Sequence, residues 1–264
     1  MEVHAPRTLE EALRIRAEQP GARPIAGGTD LMVMLNSERG ERPQALLDLG
    51  RVDELRGWWR DGEELVLGAA LTYTEATGGE LAAALPALAA ASRSVGSPQI
   101  RNRGTIGGNL GTASPAGDAL PPLLVEDARV ELASSGATRS LPLGEFLVGP
   151  KRNALQAGEL VTAVRVRASG APQTFMKIGP RNAMVIAICS LALSADRERG
   201  ELRAAFGSAG PVARLVVAPL DEAERFAELV VAAASPIDDL RGTAAYRRHA
   251  LGVLARRGLA RCLV

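Results

Sequence analysis

The pattern of apolar and polar residues switches several times between a helical and an extended period. Thr8 to Glu18 opens with a hydroxyl residue, carries Glu10 and Glu11 in its first turn, and sets Leu9, Ala12, Leu13 and Ile15 near one face. With Pro20-Gly21 behind it, this segment is predicted as a capped amphipathic helix. Arg23 to Ala26 is a short apolar entry into Gly27-Gly28-Thr29-Asp30, and Leu31 to Leu35 reads as a helix. Strand, glycine turn and helix is the inferred order. Ala45 to Leu49 and Leu65 to Ala70 read as strands, the second preceded by the turn Asp61-Gly62, and Thr72 to Ala76 as the start of a helix. Alanine-rich Leu81 to Ser92 is helical by propensity, with Pro86 marking a break or the first turn of a second helix.

Neither period persists from Gly96 to Gly117, where Gly104, Gly107, Gly108 and Gly111 alternate with Thr105, Asn109, Thr112 and Ser114. A long structured loop is expected there. Ala128 to Leu132, Leu160 to Val166 and Thr174 to Ile178 return to a strand pattern, while Met184 to Ser194 fits a buried strand or a short helix. Arg203 to Gly207 and Ala213 to Val217 add two strands, and Leu220 to Ala234 and Ala244 to Ala260 read as amphipathic helices. No internal repeat or heptad run is visible, and the expected domain boundary lies near Ser169-Gly170.

Length and composition narrow the functional classes. With 264 residues, 47% of them hydrophobic, the chain can bury a substantial core in one or two domains. Its 31 basic and 30 acidic residues leave a net charge of +1, which does not favour nucleic acid as a partner. Apolar stretches such as Leu81 to Ala91 are well short of the roughly 20 residues that span a bilayer, so no transmembrane segment is expected. Met1 to Arg7 lacks the features of a secretion signal, which makes a cytoplasmic address the default. Cys189 and Cys262 stand too far apart for a CxxC metal pair, and His4 and His249 each stand alone. Redox chemistry here therefore needs a bound cofactor.

Two segments have the composition for holding one. Ile25-Ala26-Gly27-Gly28-Thr29-Asp30-Leu31 lets backbone N–H groups approach a phosphate closely, although Thr29 or Asp30 could equally cap the following helix. Ile100 through Pro115 combines backbone freedom, hydroxyls and an amide, and Asp118 follows as an acceptor for sugar hydroxyls or as a turn residue. Neither a GxxxxGK run nor a GxGxxG unit is present, so a dinucleotide would need two separated glycine loops.

At these residues the chain resembles the flavin-bearing subunit of the xanthine dehydrogenase and carbon monoxide dehydrogenase family of molybdenum hydroxylases. The resemblance rests on Pro24 to Met32, Ile100 to Asp118, Lys177 to Arg181 and Ser235 to Leu251, four motifs in order over nearly the whole chain. It implies an α+β fold: two subdomains of the PCMH (vanillyl-alcohol oxidase-like) type, about residues 1–55 and 56–169, clasp FAD, and a small α+β C-terminal domain follows at 170–264. Carried over residue by residue, it assigns cofactor contacts to Ile25, Ala26, Gly27, Gly28, Thr29, Asp30 and Leu31 in the first loop. In the second loop it assigns Thr105, Gly107, Gly108, Asn109 and Thr112, and beyond it Asp118, Val161 and Lys177. Both loops are expected to meet the pyrophosphate region through backbone N–H groups. A tyrosine common in the family two positions before the lysine is Phe175 here.

The resemblance further implies non-covalent FAD in an electron-transfer oxidoreductase, and no catalytic acid, base, nucleophile or metal ligand is assigned to this chain. A molybdenum cofactor on a large partner subunit and 2Fe-2S clusters on a small one would feed electrons to the flavin, in assemblies that can pair as a dimer of heterotrimers. NAD, a quinone or oxygen would accept them. A self-sufficient flavoenzyme and a scaffold that has lost flavin are the rival readings. The basic face of the last helix, Arg247, Arg248, Arg256 and Arg257, is expected to face solvent in preference to a partner.

Overall fold

The computed structural model describes residues 1–37 and 42–263. Its front part opens with β1 (Glu2–His4), α1 (Leu9–Glu18), β2 (Ala22–Ile25), α2 (Leu31–Asn36) and β3 (Ala45–Asp48). Thr8 caps α1 by accepting the Glu11 amide at 3.2 Å, and Ala12 and Ile15 turn inward. β3 lies between β1 and β2 and runs parallel to both, so the carboxyl ends of all three strands share one edge. Open parallel sheets bind ligands at that edge. The first glycine segment leaves β2 there.

A second unit follows: β4 (Trp58–Asp61), β5 (Glu64–Gly68), α3 (Gly79–Ala84), α4 (Pro86–Ser94), α5 (Pro98–Arg101), α6 (Ile106–Thr112) and α7 (Leu120–Val125). It continues through β6 (Arg129–Ser134), β7 (Ala137–Pro142), α8 (Leu143–Phe146), β8 (Leu147–Gly149), β9 (Arg152–Asn153) and β10 (Leu160–Val166). An antiparallel sheet runs in the order β4-β5-β10-β6-β7. Pro86 starts α4 and separates it from α3, the outcome expected where a missing N–H is harmless. The same logic seats Pro121 and Pro122 in the first turn of α7, a helix that the prolines hid in the sequence.

The remaining elements are β11 (Gln173–Ile178), β12 (Cys189–Asp196), β13 (Glu201–Gly207), β14 (Arg214–Pro219), α9 (Ala223–Ala232) and α10 (Ala244–Cys262). Four antiparallel strands pair in chain order, with α9 and α10 on one face and α4 and α7 of the front part on the other. All eight residues of β12 are buried. That explains why periodicity left Met184 to Ser194 undecided: a strand covered on both faces has no polar alternation. Cys189, Leu191, Leu193 and Ala195 fill the C-terminal core, whereas Ala192 belongs to the front core. Cys189 is inert by burial, its thiol pushed up to about 12.

Several expectations need correction. The stretch expected as one long loop contains α5 and α6, because contacts to β5 and β10 outweigh the low helix propensity of glycine. Thr72 to Ala76 does not begin an α-helix; Thr72 bridges Thr105, and a single 3-10 turn covers Glu75–Thr77. Another such turn occupies Leu220–Glu222, so the following helix starts at Ala223. Arg247 does not face solvent with Arg248, Arg256 and Arg257. Its side chain is buried, donating to the carbonyls of Ile188 at 2.8 Å and Ser208 at 2.6 Å and pairing with Asp239 at 2.5 Å.

Arg247→Ala would leave two buried carbonyls and a carboxylate without their donor, and should lower unfolding stability by roughly 3 kcal/mol. Denaturant titration of the variant beside Arg248→Ala, which loses only an exposed charge and should stay near wild type, checks this.

Candidate functional site

β2 delivers the first glycine segment to the sheet edge, and Gly28 adopts φ 75°, a left-handed conformation that favours glycine. A Cβ on Gly27 would overlap the carbonyl of Arg103 and stand 3.0 Å from the Cα of Gly104. The two glycine-rich segments are thus in backbone contact. Asp30 does not cap α2; it accepts a hydrogen bond from the Thr112 hydroxyl at 2.9 Å and ties the segments a second time. Among the described residues, the amides of Gly27 to Asp30 donate no hydrogen bond. They form a run of unclaimed N–H groups, the arrangement that binds an anion.

The second segment is organised differently. Ile106 donates to the Leu71 carbonyl at 2.9 Å and Gly107 to that of Ala69 at 2.8 Å. Thr105 caps α6 by accepting from the Gly108 amide at 3.0 Å, and its carbonyl takes the Asn109 amide at 3.0 Å. These amides are already used inside the chain. Gly107 instead permits close packing, since a Cβ there would sit 2.5 Å from that of Ala69. Gly111 opens onto free space on the far side of α6, where Asn153 of β9 donates to its carbonyl at 2.8 Å.

Acceptors without donors lie deeper. Asn109 packs against Gly117, where a Cβ would come within 2.7 Å of its amide nitrogen, and its Oδ1 is buried and unpaired. Asp118 is 8% exposed, with Oδ1 likewise unpaired and Oδ2 accepting from Lys177 Nζ at 2.6 Å. Lys177 is not a solvated strand lysine, because its ammonium also donates to the carbonyls of Ser94 at 2.8 Å and Val185 at 3.2 Å. Val161 lies on β10, which contacts α6, at the point where the ladder to β6 shifts register. Phe175, in the position of the family tyrosine, is buried in the front core.

Tyr73 escaped the sequence reading. It is 5% exposed, its amide donates to the Gly104 carbonyl at 3.0 Å, and its ring edge would meet a Gly104 Cβ at 3.1 Å. Burial raises its phenol above the ordinary range, and Asp118 and Asp30 push in the same direction, so the hydroxyl stays protonated. The only hint in the sequence is its scarcity, since the chain has two tyrosines.

Free N–H donors on one side and orphaned acceptors on the other suit a ligand carrying both an anion and hydroxyl groups. The pyrophosphate and sugar alcohols of a dinucleotide meet that description. A separate cavity of about 560 Å³, lined by Leu124, Phe206, Val212 and Leu215 among others, lies away from these loops and carries none of this chemistry. Among the described residues, no group of three or more His, Cys, Asp or Glu could hold a metal ion, and no helix is long and apolar enough to cross a membrane.

Fold and loops together define an α+β flavin-binding fold of the PCMH type. The family described as "FAD binding domain in molybdopterin dehydrogenase" matches residues 1–167. The chain is 30% identical over 273 residues to a putative xanthine dehydrogenase FAD-binding subunit of Escherichia coli K12, covering 96% of this chain and 93% of that one. It is 37% identical over 195 residues to the nicotinate dehydrogenase FAD-subunit of Eubacterium barkeri, covering 71% and 66%. Among solved structures, a chain of carbon monoxide dehydrogenase from Hydrogenophaga pseudoflava, in a form lacking the Mo-pyranopterin moiety, superposes with a TM-score of 0.91 at 27% identity, covering 100% of this chain and 97% of that one. The chain belongs to the family of FAD-binding subunits of molybdenum hydroxylases.

Burial lifts the Asp118 carboxyl to about 6, while the charge and hydrogen bond of Lys177 pull it back down. An unfolded aspartate loses its proton near about 3.9. Between those values the folded chain holds a proton that the unfolded chain has released. The contribution is therefore full below about pH 4 and is lost as pH rises through about 6. Chemical unfolding of wild type and Asp118→Asn across this window should show the wild-type advantage shrinking with rising pH. A difference that stays constant would contradict the assignment.

Proposed function

We propose that this chain binds FAD non-covalently between its two glycine segments and serves as the flavoprotein subunit of a molybdenum hydroxylase-type complex. The observation that carries the reading is the run of unclaimed amides from Gly27 to Asp30 beside the orphaned acceptors of Asn109 and Asp118. Ile25, Ala26, Gly27, Gly28, Thr29, Asp30 and Leu31 hold the pyrophosphate side through the backbone. Thr105, Gly107, Gly108 and Thr112 build the wall that keeps this loop in place, and Asn109 and Asp118 accept from the cofactor's hydroxyl groups. Lys177 fixes Asp118, and Val161 lines the flavin. The flavin-binding part is residues 1–169 and the C-terminal domain is 170–264.

When bound, the flavin supplies a two-electron store. The chain's own work is binding, orientation and exclusion of water. Electrons would arrive from 2Fe-2S clusters on a small partner, organic substrate would react at the molybdenum cofactor of a large partner, and NAD, a quinone or oxygen would act as acceptor. The geometry gives the self-sufficient rival little support. His4 lies on β1 beside Glu2 and His249 is exposed on α10, while at the loops the Asp118 carboxylate is already committed to Lys177.

Anaerobic mixing separates the readings. The FAD-loaded chain should keep its visible flavin absorbance when the organic substrate is added alone, and should bleach once both partner subunits are present. Bleaching without partners would favour the self-sufficient enzyme, and absence of flavin from the folded complex would favour the scaffold.

A further inference from the structure

We propose that Arg7, Arg51 and Arg56 form a binding site for a phosphate dianion, at the carboxyl edge of the parallel sheet and separate from both glycine segments.

The register of the sheet builds the site. β1 and β3 run parallel with His4 opposite Leu47, so the two chains leave the edge side by side. Arg7 follows the end of one strand and Arg51 the end of the other, each at the third position beyond it. Pro6, Val52 and Leu55 are buried, which turns Arg7, Arg51, Asp53 and Arg56 outward. These four side chains line one cavity of about 320 Å³. Such a space is at the small end of the range for ligand pockets, and open parallel sheets bind ligands at this edge. The Leu49 amide donates to the Ile25 carbonyl at 2.9 Å, so the end of β3 adjoins the first glycine segment, yet no residue of that segment lines the cavity.

Charge selects the ligand. Asp53 lies 3.8 Å from Arg56, whose guanidinium also donates to the Gly50 carbonyl. Among the described residues, the guanidiniums of Arg7 and Arg51 have neither a hydrogen-bond nor an ion-pair partner. Glu11 and Glu54 do not supply one, because they accept from the amides of Arg7 and Leu9, at 3.0 Å each, at the start of α1. Three guanidiniums against one carboxylate leave two positive charges in excess. A single carboxylate would balance half of that. A phosphate group carries about two negative charges near neutral pH and offers several oxygens to forked guanidinium donors. Free phosphate and a nucleotide monophosphate share this chemistry, and titration separates them.

Inorganic phosphate and AMP are titrated separately into the full, FAD-loaded chain by calorimetry. Each should bind saturably at one site, AMP more tightly if the natural ligand is a nucleotide and no more tightly if it is free phosphate. Arg7→Gln combined with Arg51→Gln should weaken both by at least about tenfold and leave FAD content unchanged. Asp53→Asn, which removes the competing carboxylate, should tighten phosphate binding severalfold. Failure of wild type to bind either anion would overturn the proposal, as would a double variant that binds like wild type. Loss of FAD from the double variant, or release of FAD by phosphate, would overturn it too, by placing the arginines in the flavin site. If the double variant does not fold, Asp53→Asn decides, and binding no tighter than that of wild type overturns the proposal. A wild-type chain that takes up no FAD refutes the flavin reading alone, since phosphate titration of the FAD-free chain still reads this site.

Discussion

Backbone contact between Gly27 and the Arg103 carbonyl is the constraint on which the site depends. No side chain larger than hydrogen fits at that point, so the loop after β2 can lie directly on the loop before α6. The contact joins the parallel sheet, which presents its carboxyl edge, to the antiparallel sheet, whose β5 and β10 support α6. Each unit alone would offer an ordinary turn. Held together, they leave one loop's amides without partners while the other loop's amides are consumed in fixing the wall behind it.

The C-terminal sheet reaches this arrangement through Lys177. Lys177 leaves β11 and reaches the end of α4 and Asp118, so the carboxylate is held by a residue of the four-stranded C-terminal sheet. Both faces of β12 are covered, one by α9 and α10 and the other by the front part, which makes the position of Lys177 a consequence of core packing. Burial and pairing act on Asp118 in opposite directions, and burial prevails. A carboxyl poised in this way is an acceptor whose strength depends on what occupies the space beside its free oxygen.

Much of this was legible in the sequence, and the exceptions share a cause. The capped helix α1, the turn at Gly27-Gly28 and the helix break at Pro86 announce themselves because local rules decide them. The helix α6 did not, because glycine propensity argues against it and the deciding contact, Gly107 on Ala69, spans distant segments. The strands β4 and β7 carry exposed or half-buried residues and lack an apolar alternation to reveal them. At the site, the four motifs located the loops, but a motif does not say which amides remain free. Lys177 and Arg247 looked like surface cations since burial of a charge is visible only once its partners are in place. Tyr73 lies outside every motif and is placed by the Gly104 contact alone.

The central claim is a division of labour between the loops: one binds the anion, the other is structural. Amide hydrogen exchange with and without FAD tests it most directly. Gly27 to Asp30 should exchange rapidly in the apoprotein and become protected when FAD is added, whereas Gly107, Gly108 and Asn109 should be protected in both states. Protection that appears at Gly107 to Asn109 while Gly27 to Asp30 stays unchanged would contradict the account.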